Sequence, residues 1–143
     1  MIVRCMAEFA TTIPDDTIED EDGDDVVQFG GKAIATVVGE ILQRLGCAVA
    51  APTYAGDHGW DFAVYTDGHR SYCQVTLAAP DYLIFQNVSR SGGFFNKSIP
   101  VAYIRTLKAL ARELAEDPRF SELKWYSLGN RLAQTGAAAP IDE

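Results

Sequence analysis

The stretch WDFAVYT-DG-HRSYCQVTL, residues 60–77, constrains this chain more than any other. Two runs of alternating apolar and polar residues flank Asp67-Gly68, the dipeptide favoured by a two-residue type I′ turn because both central positions need positive φ. That turn sets the whole register. Trp60 must face Val75, Phe62 face Cys73, Val64 face Ser71 and Thr66 face His69 on one side of the sheet. Asp61–Gln74, Ala63–Tyr72 and Tyr65–Arg70 share the other, because strand side chains alternate with period two. Ala79-Pro80 then turns the chain into DYLIFQNV. A two-residue loop there pairs Val75 with Ile84 and Leu77 with Tyr82, completing a meander over residues 60–88.

Two helical patterns flank the meander. Ile34, Val37, Val38, Ile41, Leu42 and Leu45 recur at the three-four spacing of a single face, and Gly46 supplies a left-handed stop, which predicts a helix over 31–45. Tyr103, Ile104, Leu107, Leu110, Ala111 and Leu114 predict a second over 99–116, with Ser98 as N-cap, Pro100 in the first turn and Asp117-Pro118 as the stop. Val3, Cys5, Ala7 and Phe9 alternate as a strand, CAVAAPTY (47–54) reads as a short edge strand, and FSELKWYSL (120–128) is either a helical turn or a last strand. The expected fold is α+β: an antiparallel sheet of four to five strands packed with two main helices. At 143 residues, 48% hydrophobic, the chain suits one domain with one core. Residues 14–25 are expected to be a solvated acidic loop, SRSGGFFNKS (89–98) a loop, and 135–143 a flexible tail.

Charge is unevenly placed. The net charge is -8, and residues 1–30 account for it, with nine acids against Arg4; residues 31–143 carry eleven acids and eleven bases. Eight acids fall within residues 15–25, a local negative patch suited to steering a basic partner. Nucleic-acid binding is disfavoured, because eight Lys/Arg spread over residues 85–131 form no clustered basic face. No apolar run approaches the roughly 20 residues of a membrane span, and no basic leader precedes the first strand. Cys5, Cys47 and Cys73 are odd in number and form no CxxC pair, which points to a reducing cytoplasm rather than a disulfide framework or zinc site.

The residues that invite chemistry dissolve under this register. His58 and His69 lie at opposite ends of the hairpin, on the order of 25 Å apart at roughly 3.3 Å per residue, so they share no metal. Cys73 faces Phe62 on the apolar side, where a thiol acts as a small hydrophobe without a nearby base. Calcium fails on spacing, since the EF-hand loop needs an acid five residues before its glycine and Ile18 stands five before Gly23. No catalytic residue, metal or cofactor is assigned. Two surfaces remain. Asp20, Asp22, Asp24 and Asp25 form a candidate partner-binding patch. The second sheet face, expected to carry Asp61, Tyr65, Arg70, Tyr72, Gln74 and Phe85 together with Leu83 and Thr76, is too apolar for an ordinary wet surface. One of the helices or the Phe94-Phe95 loop should cover it, or it should form a homodimer interface or the aromatic cleft of a small-molecule-binding or enzymatic domain.

The order helix, LGCAVAAP, GDHGWDFAVYTDG, third strand, helix and DPRFSELKWY resembles small bacterial α+β immunity proteins encoded beside toxins, and is similar to orphan proteins of mobile gene cassettes. The likeness spans residues 30–126 and rests on element order, Gly59-Trp60 and Trp125-Tyr126. It implies a non-enzymatic binding protein and carries over no site residue.

Overall fold

The computed structural model describes residues 1–88 and 99–142. In chain order the strands before the first helix are β1 (Ile2–Val3), β2 (Met6–Thr11), β3 (Ile18–Glu19) and β4 (Val26–Gln28), followed by α1 (Lys32–Arg44). Then come β5 (Ala48–Val49), β6 (Thr53–Tyr54), a 3-10 turn at Gly56–His58, β7 (Trp60–Thr66), β8 (His69–Thr76) and β9 (Asp81–Val88). The chain closes with α2 (Val101–Glu116), β10 (Phe120–Tyr126), a 3-10 turn at Arg131–Ala133 and β11 (Ile141–Asp142). The fold is α+β. Among the described residues seven strands form one antiparallel sheet in the order β10-β2-β9-β8-β7-β5, with β6 also on β7; β3–β4 and β1–β11 are separate two-stranded ribbons. The sheet exceeds the expected four to five strands because CAVAAPTY splits into β5 and β6, and because residues 120–126 pair with β2 rather than coil.

The β7–β8 hairpin has the expected register throughout, from Trp60–Val75 to Thr66–His69. Asp67 and Gly68 have φ of 48° and 78°, the left-handed pair that a type I′ turn requires. Both helices lie on the face carrying Phe62, Val64, Cys73, Val75, Leu83, Ala7, Phe9 and Trp125, and with it they form one core. On α1 the buried face is Ile34, Ala35, Val38, Ile41 and Leu42, while Gly46, at φ 97°, ends the helix as its N–H reaches the Gln43 carbonyl. On α2, Tyr103, Leu107, Leu110 and Leu114 point inward, and the Tyr103 hydroxyl donates to the Phe85 carbonyl at 2.7 Å.

Three expectations need correction. β9 pairs one residue away from the expected register: Val75 faces Leu83, Gln74 faces Ile84 and Thr76 faces Tyr82, with a four-residue connection at 77–80. Leu83 and Phe85 therefore belong to the core face. Phe85 is 1% exposed with its ring 5.4 Å from that of Tyr103, so it is no part of any surface site. The cause lies in Leu83-Ile84-Phe85, three consecutive apolar residues that erase the period-two signal. The 135–143 tail, expected to be flexible, is paired through residue 142. Trp125 and Ala137 exchange backbone hydrogen bonds, Val3 faces Ile141, and Arg4 bridges Asp142 at 2.6 Å. Finally, the acidic segment is not all loop, since β3 and β4 make it a hairpin. Ser98 and the loop with Phe94 and Phe95 lie outside the described residues. Helix α2 begins at Val101, with Pro100 in the N-cap position.

A candidate protein-binding surface

The β3–β4 hairpin is built by its own polar residues. Asp20 closes the turn three ways: its N–H donates to the Asp25 carbonyl, its carbonyl accepts from Gly23 N–H, and its Oδ1 accepts from Asp24 N–H at 2.9 Å. Gly23 takes φ 73°, which the turn requires. Glu21, Asp22, Asp24 and Asp25 consequently stand exposed at the tip. Of the four predicted partner-binding residues, three are free surface charges and Asp20 is also a structural turn residue.

The base of the hairpin is locked to the domain. Gly31, in the N-cap position before α1, has no side chain to cap the first turn, and Asp16 supplies the cap from fifteen residues upstream. Its Oδ1 accepts from Gly31 N–H at 2.7 Å and its Oδ2 from Ala33 N–H at 2.9 Å. A carboxylate here also meets the positive end of the helix dipole. Thr17 Oγ1 accepts from Gly30 N–H, and Asp15 accepts from Thr17, a bond that holds the Asp15 carboxyl below its usual range. On the other strand, Phe29 gives its N–H to the Tyr54 hydroxyl at 3.0 Å, and its carbonyl accepts from the Trp60 indole N–H at 2.9 Å. Lys32 lies over the Trp60 ring, 5.2 Å from its centroid. The hairpin is thus pre-organised at both ends.

Its flanks are apolar and exposed. Val27 is 64% exposed, Ile18 49%, Val26 43% and Phe29 40%, with Tyr54 beside them. Acids at the tip and uncovered apolar side chains below them combine electrostatic steering with burial energy, the two components of a specific protein interface.

The second sheet face brings together five of the six residues proposed for a cleft: Asp61, Tyr65, Arg70, Tyr72 and Gln74, placed by the β7–β8 register. Thr76 is also on this face but is buried, donating to the His58 carbonyl at 2.6 Å. Neither helix covers this face. Tyr72 donates to Gln86 Oε1 at 3.0 Å, and Gln74 donates to Thr76 Oγ1. Over β2 and β9 the face is closed by residues 127–134: Arg131 stacks on the Tyr82 ring at 4.6 Å and pairs with Glu8 at 3.0 Å, while the Gln134 amide bridges the backbone of Ser127. No periodicity in the sequence marks Arg131 or Asp16, because each acts on a distant element.

The histidines are at opposite ends of the hairpin. His58 is exposed beside Asp57, and His69 sits at the turn. Among the described residues no group of three or more His, Cys, Asp or Glu side chains could hold a metal ion. No helix among them is long and apolar enough to cross a membrane. The thiols of Cys5, Cys47 and Cys73 are all buried, and burial pushes those of Cys5 and Cys73 above their ordinary values. Ellman's reagent is therefore expected to titrate none of the three cysteines in the native protein within minutes and all of them in denaturant; rapid native labelling of Cys73 would contradict its place beneath α1 and α2.

No protein family, curated protein or solved structure matches the chain.

Proposed function

We propose that this is a non-catalytic cytoplasmic binding protein that engages a basic protein partner through the β3–β4 hairpin, most concretely as an inhibitor of the immunity type. The observation that carries this reading is the preformed hairpin itself, which holds Asp22, Asp24 and Asp25 beside exposed Val26, Val27 and Phe29. An isolated two-stranded ribbon is marginal in water. This one is held at its base by Asp16, Thr17, Tyr54 and Trp60, so little ordering entropy remains to be lost on binding. Acids near the tip act over about 8–10 Å at physiological salt, which favours fast capture of a cationic surface.

The test is co-purification with the product of the adjacent gene, followed by kinetics against salt. Replacing Asp20, Asp22, Asp24 and Asp25 by Asn is expected to slow association roughly tenfold at low salt and to flatten its salt dependence. Asparagine at position 20 keeps the Oδ1 acceptor that the turn uses. Unchanged association would remove the acidic mechanism. The grouping of Asp61, Tyr65, Arg70, Tyr72 and Gln74 on one face supports a second reading, a small-molecule site or homodimer face. A ligand-dependent rise in melting temperature, lost in Tyr72→Ala, would support the small-molecule form over the leading one.

A further inference from the structure

Both helices pack on one face of the main sheet, and residues 127–134 close the other face only over β2 and β9. Over β7 and β8 the strand register lays that second face out in rows. Its middle row is Ala63, Tyr72 and Gln86, one residue each from β7, β8 and β9. Tyr65 and Arg70 stand at one end of this row, and Asp61 stands at the other. Tyr65 is 47% exposed and Arg70 is exposed, while Asp61 and the middle row are half-buried. Tyrosines and small or amide side chains with an arginine at the margin are the composition of a protein interface.

The two opposite charges cannot meet within one chain. Arg70 lies across from Tyr65, four residues along β7 from Asp61, which separates them by about 13 Å along the strand at roughly 3.3 Å per residue. Among the described residues neither side chain has an ion pair or a hydrogen bond. A two-fold interface supplies what the chain lacks, because residue i of each copy meets residue j of the other. With the axis lying across the strands over the middle row, each Asp61 falls against the Tyr65–Arg70 end of the other copy, and on β9 each Ile84 falls against Val88. Two identical ion pairs then form at opposite margins, with Tyr72 against Tyr72 at the centre. An axis along β8 would instead set Arg70 over Arg70. The charges therefore select an arrangement that aligned face-to-face sheet packing can adopt.

We propose that this face is a homodimer interface in which Asp61 of each copy pairs with Arg70 of the other. The proposal deepens the second reading above by committing the face to a second copy of this chain, and it is independent of the hairpin. The test is sedimentation of the full chain from micromolar to millimolar concentration, with far-UV circular dichroism to establish that each variant is folded. Wild type is expected to reach twice the mass of one chain. D61R and R70D are each expected to weaken association roughly tenfold or more, because the reversed contact occurs twice in the interface. The double variant D61R/R70D should restore the dimer, and so should mixing the two single variants, whose like charges then face opposite ones. Replacing Asp20, Asp22, Asp24 and Asp25 by Asn should leave the dimer intact, so failure of the hairpin to capture a basic partner and failure of this interface are separate results. A monomer at every concentration would overturn the proposal, and a melting temperature raised by a small ligand would then assign the face to that ligand. A dimer indifferent to both single reversals, or broken by them and restored by neither combination, would overturn the pairing. A dimer lost with the hairpin acids would place self-association at the hairpin and overturn it as well.

Discussion

Gly59→Ala is expected to abolish the native fold or to destabilise it by about 4 kcal/mol or more, the largest single-residue effect foreseen for this chain. Gly59 sits at φ 90° between the 3-10 turn and β7, a conformation that already strains any L-residue by about 1–3 kcal/mol. A Cβ added there would lie 2.1 Å from the Val75 carbonyl oxygen and 3.2 Å from Thr76 Cα. Those atoms belong to β8, which is paired on both sides, and so they cannot yield as a side chain tip would. The approach is fastened by Thr76, whose hydroxyl donates to the His58 carbonyl, and by Ala55 N–H on the Gly59 carbonyl. Gly68→Ala is the control. Gly68 also has positive φ but opens onto free space, so only the conformational cost of about 1 kcal/mol applies. Urea unfolding of the two variants measures the contrast, and equal midpoints would refute the close approach.

That glycine shows where sequence is legible and where it is not. Asp67-Gly68 and the clean alternation on both sides determine the β7–β8 register because turn chemistry and burial demand the same phase. Through β9 the rule fails, since Leu83, Ile84 and Phe85 are apolar on both faces, and it is the burial of Leu83 and Phe85 in the shared core that distinguishes them. Phe85 left the second sheet face for that reason, while Asp61, Tyr65, Arg70, Tyr72 and Gln74 share it. The acidic segment reads from composition as one solvated run, yet its members divide the work by contact. Asp15 and Asp16 hold the base, Asp20 shapes the turn, and Asp22, Asp24 and Asp25 face solvent. The tail has the small residues of a flexible segment. Its order comes from Arg4 and Val3, a pairing across nearly the whole chain that no local pattern could signal.

Asp16→Ala is expected to cost about 2 kcal/mol and, on the proposed basic-partner function, to slow association with that partner more than its single charge explains. The N-cap amide of Gly31 and the first-turn amide of Ala33 depend on this carboxylate, at 2.7 and 2.9 Å, and Gly31 offers no replacement acceptor. Loss of an N-cap side chain costs about 0.5–2 kcal/mol, and hydrogen bonds to a charged acceptor lie at the upper end of that range. Asp16→Asn, which keeps one acceptor oxygen, should fall between wild type and alanine. The same carboxylate joins the hairpin base to the helix, so its removal should speed hydrogen exchange at residues 18–28 while the amides of β7 and β8 stay protected. Asp22→Asn is the matched comparison, because it removes one charge from the same segment without touching the anchor. Larger slowing with Asp16→Ala than with Asp22→Asn would mean that the hairpin binds as a rigid element. Equal slowing would mean that charge alone governs capture, and the anchoring of the hairpin would then serve stability only.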